Sequence, residues 1–194
     1  MARKLISALS DSTLFLREWI ANPQRTGSVA PSSPQLGAAM ARWLPQNRES
    51  YVLELGPGTG AVTDALFKHG LREDRLIAIE FNDNLAKLLQ DRFRQAQIIA
   101  GDAWELDKLI HRCERPVKSV GAVISSLPLM NFPIEKAEAL GKKIRGVLET
   151  HGHWVQYSYQ ILNKRSRGSK EFKLTSSKIV WLNIPPARVS VFQK

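Results

Sequence analysis

Apolar and polar positions along the chain follow two rhythms. Before residue 50 the rhythm is helical: Leu5, Leu9, Leu16 and Ile20 recur at near-helical spacing with Phe15 and Trp19 beside them, predicting an N-terminal helix broken near residues 10–13. Asn22-Pro23 stops it. The loop Gly27-Ser28-Val29-Ala30-Pro31-Ser32-Ser33-Pro34 leads into a second helix over 35–43, with Ser33 as N-cap and Pro34 at its first position. From Tyr51 onward, short apolar runs at 51–55, 76–80, 97–100, 117–125 and 153–159 predict buried strands. Helical stretches separate them: one begins near Ala61 (Val62, Ala65, Leu66), one spans 82–93 with Leu85, Leu88 and Leu89 on its buried face, and one spans 134–148. Asn82 or Asp83 caps the second of these. Residues 178–184 and 187–192, joined by Pro185-Pro186, read as an antiparallel pair. Alternating strand and helix implies an α/β fold with a mostly parallel, twisted sheet covered on both faces. A single domain is expected, its core at 51–194 and residues 1–48 forming an N-terminal helical extension.

In such sheets ligands sit at the carboxyl ends of the strands, and the chemically distinctive residues fall there. The first strand runs into Leu53-Glu54-Leu55-Gly56-Pro57-Gly58-Thr59-Gly60. Alternate glycines allow unusual dihedrals and let a ligand touch the backbone, and the helix that follows offers free amides. Gly56, Gly58 and Ala61 satisfy a dinucleotide pattern, whereas Gly56, Gly58 and Gly60 fit the GxGxG loop of S-adenosylmethionine enzymes; local spacing does not separate the two. Either cofactor calls for an acid at the end of the next strand to hold ribose hydroxyls, and Glu80, followed by Phe81, stands there. Gly101-Asp102-Ala103-Trp104 follows the third strand, Ser125-Ser126-Leu127-Pro128-Leu129 the fourth, and Tyr157 and Tyr159 close the fifth. All should line one crevice.

Composition narrows the setting. Among 194 residues, 43% are hydrophobic and 24% charged, and no apolar run approaches the ~18 to 20 residues of a transmembrane segment. Met1-Ala2-Arg3-Lys4-Leu5 begins basic but lacks a signal-peptide core, so a cytoplasmic protein is expected. The lone Cys113 and the scattered His69, His111, His151 and His153 offer no metal pattern. The net charge of +10 lies mostly in the last third, where residues 121–194 hold 12 basic and 4 acidic side chains. Lys164, Arg165, Arg167, Lys170 and Lys173 crowd a loop over 160–177. Such a surface suits an acidic partner, nucleic acid or an anionic membrane, and charge alone does not choose. An N-terminal helix with Phe15 and Trp19 on one face is either packed on the domain or an amphipathic helix dipping into lipid headgroups.

The glycine loop, Glu80, the Gly101-Asp102-Ala103 turn and the late antiparallel pair together resemble a class I S-adenosylmethionine-dependent methyltransferase, a Rossmann-like fold. More narrowly, the segments 27–33, 52–60, Ser125-Ser126-Leu127-Pro128-Leu129 and Trp181-Leu182-Asn183-Ile184-Pro185-Pro186-Ala187-Arg188-Val189 are similar to those of the bacterial phospholipid N-methyltransferases. That resemblance spans nearly the whole chain. It implies methyl transfer from S-adenosylmethionine to the amine of phosphatidylethanolamine, with the N-terminal helix as a membrane-binding lid on the inner face of the cytoplasmic membrane. No metal is required, because the donor methyl is already activated. It further implies that Gly56, Gly58 and Gly60 lie beneath the methionine part of the donor and that Glu54 orients it. Glu80 then takes the ribose hydroxyls and Asp102 the adenine amino group, with Phe81, Gly101, Ala103 and Trp104 nearby. Ser125, Ser126 and Leu127 would wall the transferred methyl, Tyr157 or Tyr159 would face the amine, and Arg188 would meet the lipid phosphate.

Three rivals share parts of this pattern. An rRNA adenine dimethyltransferase would welcome the basic surface, but those enzymes place an Asn, a proline and a stacking aromatic where this chain has Ser125 to Leu129. That makes nucleic acid the less favoured partner. A non-enzymatic basic module has no need of Glu80, Asp102 and the glycines together. A nicotinamide reductase does not account for the leading helices or the final strand pair.

Overall fold

The computed structural model describes residues 32–117 and 119–194, so the expected helix carrying Phe15 and Trp19 lies outside the described residues. Helix α1 (Pro34–Ala41) starts as expected: Ser33 Oγ accepts from Leu36 N at 3.2 Å and Pro34 fills the first position. Leu36, Met40 and Ala41 are buried in the core, and a Cβ built on Gly37 would stand 2.7 Å from the Ala65 methyl. Helix α1 is therefore packed into the core of the compact unit that spans Ser32–Lys194.

Strands β1 (Tyr51–Leu55), β2 (Leu76–Glu80), β3 (Gln97–Ala100), β4 (Val120–Ser125), β5 (Leu148–Ser158), β6 (Lys173–Val180) and β7 (Ala187–Gln193) form one sheet in the order β3-β2-β1-β4-β5-β7-β6. The first five run parallel; β7 is antiparallel to both β5 and β6. Strands β1, β2 and β4 are buried along their whole length, which is why their sequences read as continuous apolar runs rather than alternations. Val52, Ala78, Ile124 and Val155 face one layer, built from α1, α2 (Ala61–Lys68) and α3 (Asp83–Arg92). Leu53, Leu55, Ile77, Val123 and Trp154 face the other, which contains α4 (Leu106–Leu109) and α5 (Ile134–Val147).

The boundaries shift in three places. Strand β4 begins at Val120, not Val117. Strand β5 begins at Leu148, directly after α5 and ahead of the expected start at 153; a register shift between Val120 and Ala122, with His151 at φ 66°, accommodates the added residues. Strand β6 starts at Lys173 and ends at Val180, five and four residues earlier than the hydrophobic pattern suggests. It is the edge strand, half exposed, so polar Thr175, Ser176 and Ser177 suit it, whereas the apolar Trp181-Leu182 lies in the turn.

The basic stretch shrinks accordingly to 160–172 and is bound to the domain. A Cβ at Gly141 of α5 would stand 1.9 Å from Gly168 O, so loop backbone presses directly on the helix. Arg165 donates to Ser169 O and Phe172 O at 2.9 Å each, and Phe172 packs edge-on against Trp154 with centroids 5.3 Å apart.

Candidate active site

Strand order reverses between β1 and β4, and the crevice beyond their carboxyl ends is where such sheets bind ligands. One register row crosses the sheet there: Leu55 pairs with Ser125, Ser125 with Gln156, Gln156 with Ser190 and Ser190 with Ser177. Polar side chains thus replace apolar ones at the end of the sheet that faces the crevice.

The glycine turn occupies one side. Gly56, Gly58 and Gly60 have φ of 70°, 60° and 87°, conformations that side chains resist, and α2 starts at Gly60 without a side-chain cap. A Cβ on Gly58 would meet nothing within 4 Å, so the space over the turn is open. Glu80 fixes the turn from β2: Oε2 accepts from Gly58 N and Oε1 from Asn82 N, each at 2.9 Å, and Phe81 N also donates to this carboxylate. Burial raises the Glu80 pKa, and those backbone donors oppose the rise. Asp102 Oδ1 accepts from Trp104 N at 3.1 Å and caps the 3-10 turn at 103–105; burial raises its pKa too. Trp104 is held edge-on by Phe132, centroids 4.9 Å apart, with Lys136 Nζ 4.6 Å above its ring.

Glu54 is fully buried under the turn. Its Oε2 accepts from the Thr63 hydroxyl at 2.8 Å, while Oε1 has no partner. Burial, reinforced by the nearby Glu80 and Asp64 carboxylates, pushes its pKa up to about 8. A buried carboxyl with an unmet oxygen beside an open glycine cradle fits a ligand that brings a cationic or donor group.

On the other side, Ser126 N donates to Leu55 O at 2.9 Å, and Leu127 lies over Gly56, whose added Cβ would come within 3.0 Å of Leu127 Cδ2. Ser125 Oγ accepts from Leu127 N at 3.4 Å. The segment is pinned by a residue that sequence reasoning passed over: Gln156 Nε2 donates to Leu127 O at 2.9 Å and to Tyr157 O at 2.8 Å. Its Oε1 and the Ser126 hydroxyl are buried without partners. The signal was a glutamine inside the apolar run His153 to Tyr159. Thr63, nine residues after Glu54, was also missed; it belongs to the helix that closes the turn.

Tyr157 lies on the opposite sheet face from Gln156 and packs edge-on to Tyr159, centroids 5.5 Å apart. Its hydroxyl bonds with Tyr159 and Ser32, and burial pushes its pKa well above the usual phenol range, so it stays neutral. Ser33 N donates to Asn183 Oδ1 at 3.0 Å. Ser32-Ser33, Leu127, Tyr157 and Asn183, distant in sequence, border one rim.

Residues 52–152 match the methyltransferase domain family. Over 187 residues the chain is 30% identical to an ornithine lipid N-methyltransferase of Singulisphaera acidiphila, covering 92% of this chain and 94% of that protein. The chain belongs to this methyltransferase family. It is a class I enzyme that uses S-adenosylmethionine. The ribosomal RNA small subunit methyltransferase A of Mycoplasma capricolum is 35% identical over 66 residues, only 33% of this chain and 24% of that one. Among solved structures, TrmN from Thermus thermophilus superimposes with a TM-score of 0.67 at 16% identity, covering 91% of this chain and 52% of that one. The Synechocystis magnesium protoporphyrin IX methyltransferase with bound SAM gives 0.60 at 15%, covering 83% and 79%.

Among the described residues, the basic side chains expected to meet the membrane are spread apart. Lys173 pairs in register with Gln193 at the far end of the strand pair, six residues and on the order of 20 Å from the rim where Val180 meets Ala187. Arg165 and Arg167 donate to backbone carbonyls, Arg167 to Phe132 O. Lys164 and Lys170 are exposed. Arg188, expected at a lipid phosphate, is 9% exposed and donates inward to Ile161 O and Ser177 Oγ. It ties the 160–172 segment to the strand pair.

Among the described residues no helix is long and apolar enough to cross a membrane.

Proposed function

We propose that this methyltransferase methylates the primary amine of a membrane lipid, phosphatidylethanolamine and then its mono- and dimethyl derivatives, while bound peripherally to the inner face of the cytoplasmic membrane. One observation carries the lipid reading: the match to a lipid N-methyltransferase runs end to end, whereas the ribosomal RNA relative matches a third of the chain.

S-adenosylmethionine supplies a methyl group activated on a sulfonium. Glu54, Gly58, Glu80 and Asp102 would hold it, Glu54 through its unpartnered oxygen and Glu80 at the ribose. The chain's own task is to present a neutral amine, since an alkylammonium of pKa about 10.4 is protonated at neutral pH. Burial at the Ser125 to Leu129 wall disfavours the charged form. Gln156 Oε1 and Ser126 Oγ are unused buried acceptors for the amine's N–H groups. The Tyr157 and Tyr159 rings favour an alkylated ammonium product. Holding the amine in line excludes water and lowers the barrier by several kcal/mol, up to about 7 to 11 in ideal cases.

A second reading follows from the relative's name: the amine of an ornithine lipid. The test is incubation with labelled S-adenosylmethionine and, separately, vesicles of phosphatidylethanolamine, vesicles containing ornithine lipid, and ribosomal RNA. Label in phosphatidylethanolamine supports the first reading and label in ornithine lipid alone the second. Label in RNA alone overturns both.

A further inference from the structure

Four large apolar side chains of this domain face solvent near its crevice. Trp181 is 66%, Leu182 72%, Ile184 81% and Leu162 91% exposed. Three of them share the turn between β6 and β7, whose construction turns them outward. Asn183, 2% exposed, points into the domain, accepting from Ser33 N through Oδ1 and donating to Pro185 O through Nδ2 at 2.6 Å. With Asn183 anchored, its neighbours Leu182 and Ile184 are displayed on the outer side. Leu162 follows Ile161, whose carbonyl accepts from Arg188 at the base of the same strand pair. Because β6 runs parallel to β5, its end at Val180 brings the turn to the end of the sheet that holds the crevice.

Singly exposed apolar residues are ordinary, but a Trp-Leu-x-Ile cluster on one anchored turn is costly to leave in water and marks a contact surface. Two observations choose the occupant. The flanking exposed charges are basic, Lys178 on β6 and Lys164 beyond Leu162, and the chain carries +10, so a second copy would bring like charge against like. The edge strand beside the turn is also broken by a register shift between Leu174 and Ser176, which discourages strand pairing with another chain. An anionic bilayer satisfies both: acyl chains take the apolar tips, lipid phosphates take the lysines, and tryptophan suits the interface.

We propose that the Trp181–Pro186 turn, with Leu162, is a membrane-insertion tip that seats the crevice on an anionic bilayer surface. This rests on the lipid reading above, and it assigns the insertion to the apolar β6–β7 turn and Leu162, with Lys164 and Lys178 as flanking phosphate contacts.

The test uses the full chain and vesicles of phosphatidylethanolamine and phosphatidylglycerol in equal parts. In the combined Trp181→Ser, Leu182→Ser and Ile184→Ser variant, sedimentation with vesicles should fall by about tenfold or more, while Trp181→Phe retains most of it. Dibrominated acyl chains should quench wild-type tryptophan fluorescence, and Trp181→Phe should lose that quenching. Activity toward a short-chain phosphatidylethanolamine kept below micelle formation should be unchanged in the triple variant, and this also shows that the variant is folded. Unchanged vesicle binding overturns the proposal, as does a concentration-dependent dimer that the triple variant abolishes. If the enzyme methylates no lipid amine yet loses vesicle binding in the variant, the function proposed above fails and the membrane surface stands. Methylation of lipid with equal vesicle binding in both forms refutes the surface alone.

Discussion

Replacing Glu54 by Gln isolates the most unusual group in the crevice. The carboxyl is fully buried, one oxygen bonded to Thr63 and the other unmet, and burial holds its pKa at about 8 against 4.5 in an exposed chain. The folded value is the higher one, so between those two pH values the folded protein keeps a proton that the unfolded chain releases. The stabilisation is fully present below pH about 4.5 and is lost as pH rises toward about 8, at roughly 1.4 kcal/mol per unit and no more than about 5 kcal/mol in total. Gln keeps the Thr63 bond and the shape but does not titrate. Urea unfolding of the cofactor-free protein across this window should therefore show wild type losing stability relative to Glu54→Gln as pH rises, and levelling off above pH about 8. A constant difference between the two proteins across the window would refute the buried, protonated carboxyl. The same proton should appear in binding: a cationic donor group placed on Glu54 selects the ionised form. Cofactor affinity in wild type should then rise with pH up to about 8, with proton release detectable by calorimetry in buffers of different ionisation enthalpy.

Three further substitutions separate fold from site. Gly58→Ala places a methyl in open space at φ 60°, so stability should fall by only about 1 to 2 kcal/mol while cofactor affinity drops tenfold or more; affinity unchanged by calorimetry would mean that nothing binds over the turn. Glu80→Ala removes the acceptor for Gly58 N and Asn82 N, and should weaken both the turn and cofactor binding; unaltered affinity would refute a ribose role. Gly141→Ala drives a methyl against Gly168 O and should cost about 3 kcal/mol or more in urea unfolding, a loss that near-native stability would contradict.

The glycine turn and the acids around it were legible because their chemistry is local. The glycine turn, Glu54, Glu80 and Asp102 all fall at or just beyond the ends of apolar runs, and the runs at β1, β2 and β4 mark strands buried on both faces. The segments around Gln156 were less so, because their contacts join residues far apart in sequence. That Gln156 holds Leu127, that Tyr157 meets Ser32, and that Ser33 reaches Asn183 follow from strand register, which periodicity does not report. The edge strand misled for a related reason: with one side in solvent, Thr175 to Ser177 carry no apolar signal, while the exposed Trp181-Leu182 carries a strong one. Arg188 shows how charge alone misses a structural role, since its guanidinium donates to one serine hydroxyl and one carbonyl and so stitches the 160–172 segment to the strand pair.

The division between the two halves bears on how one fold serves different acceptors. The glycine turn, Glu54 and Glu80 are tied to one another and to α2 through Gly58 and Thr63, and that unit needs nothing from the strand pair. Segments 32–33, 125–129, 156–157 and 183 are linked instead through Gln156, Tyr157 and Asn183, the set that the proposed function gives to the acceptor. On the function proposed above, changes in the second set should alter which amine is methylated while cofactor affinity, read by calorimetry, stays the same; a loss of cofactor affinity on replacing Gln156 would refute that separation.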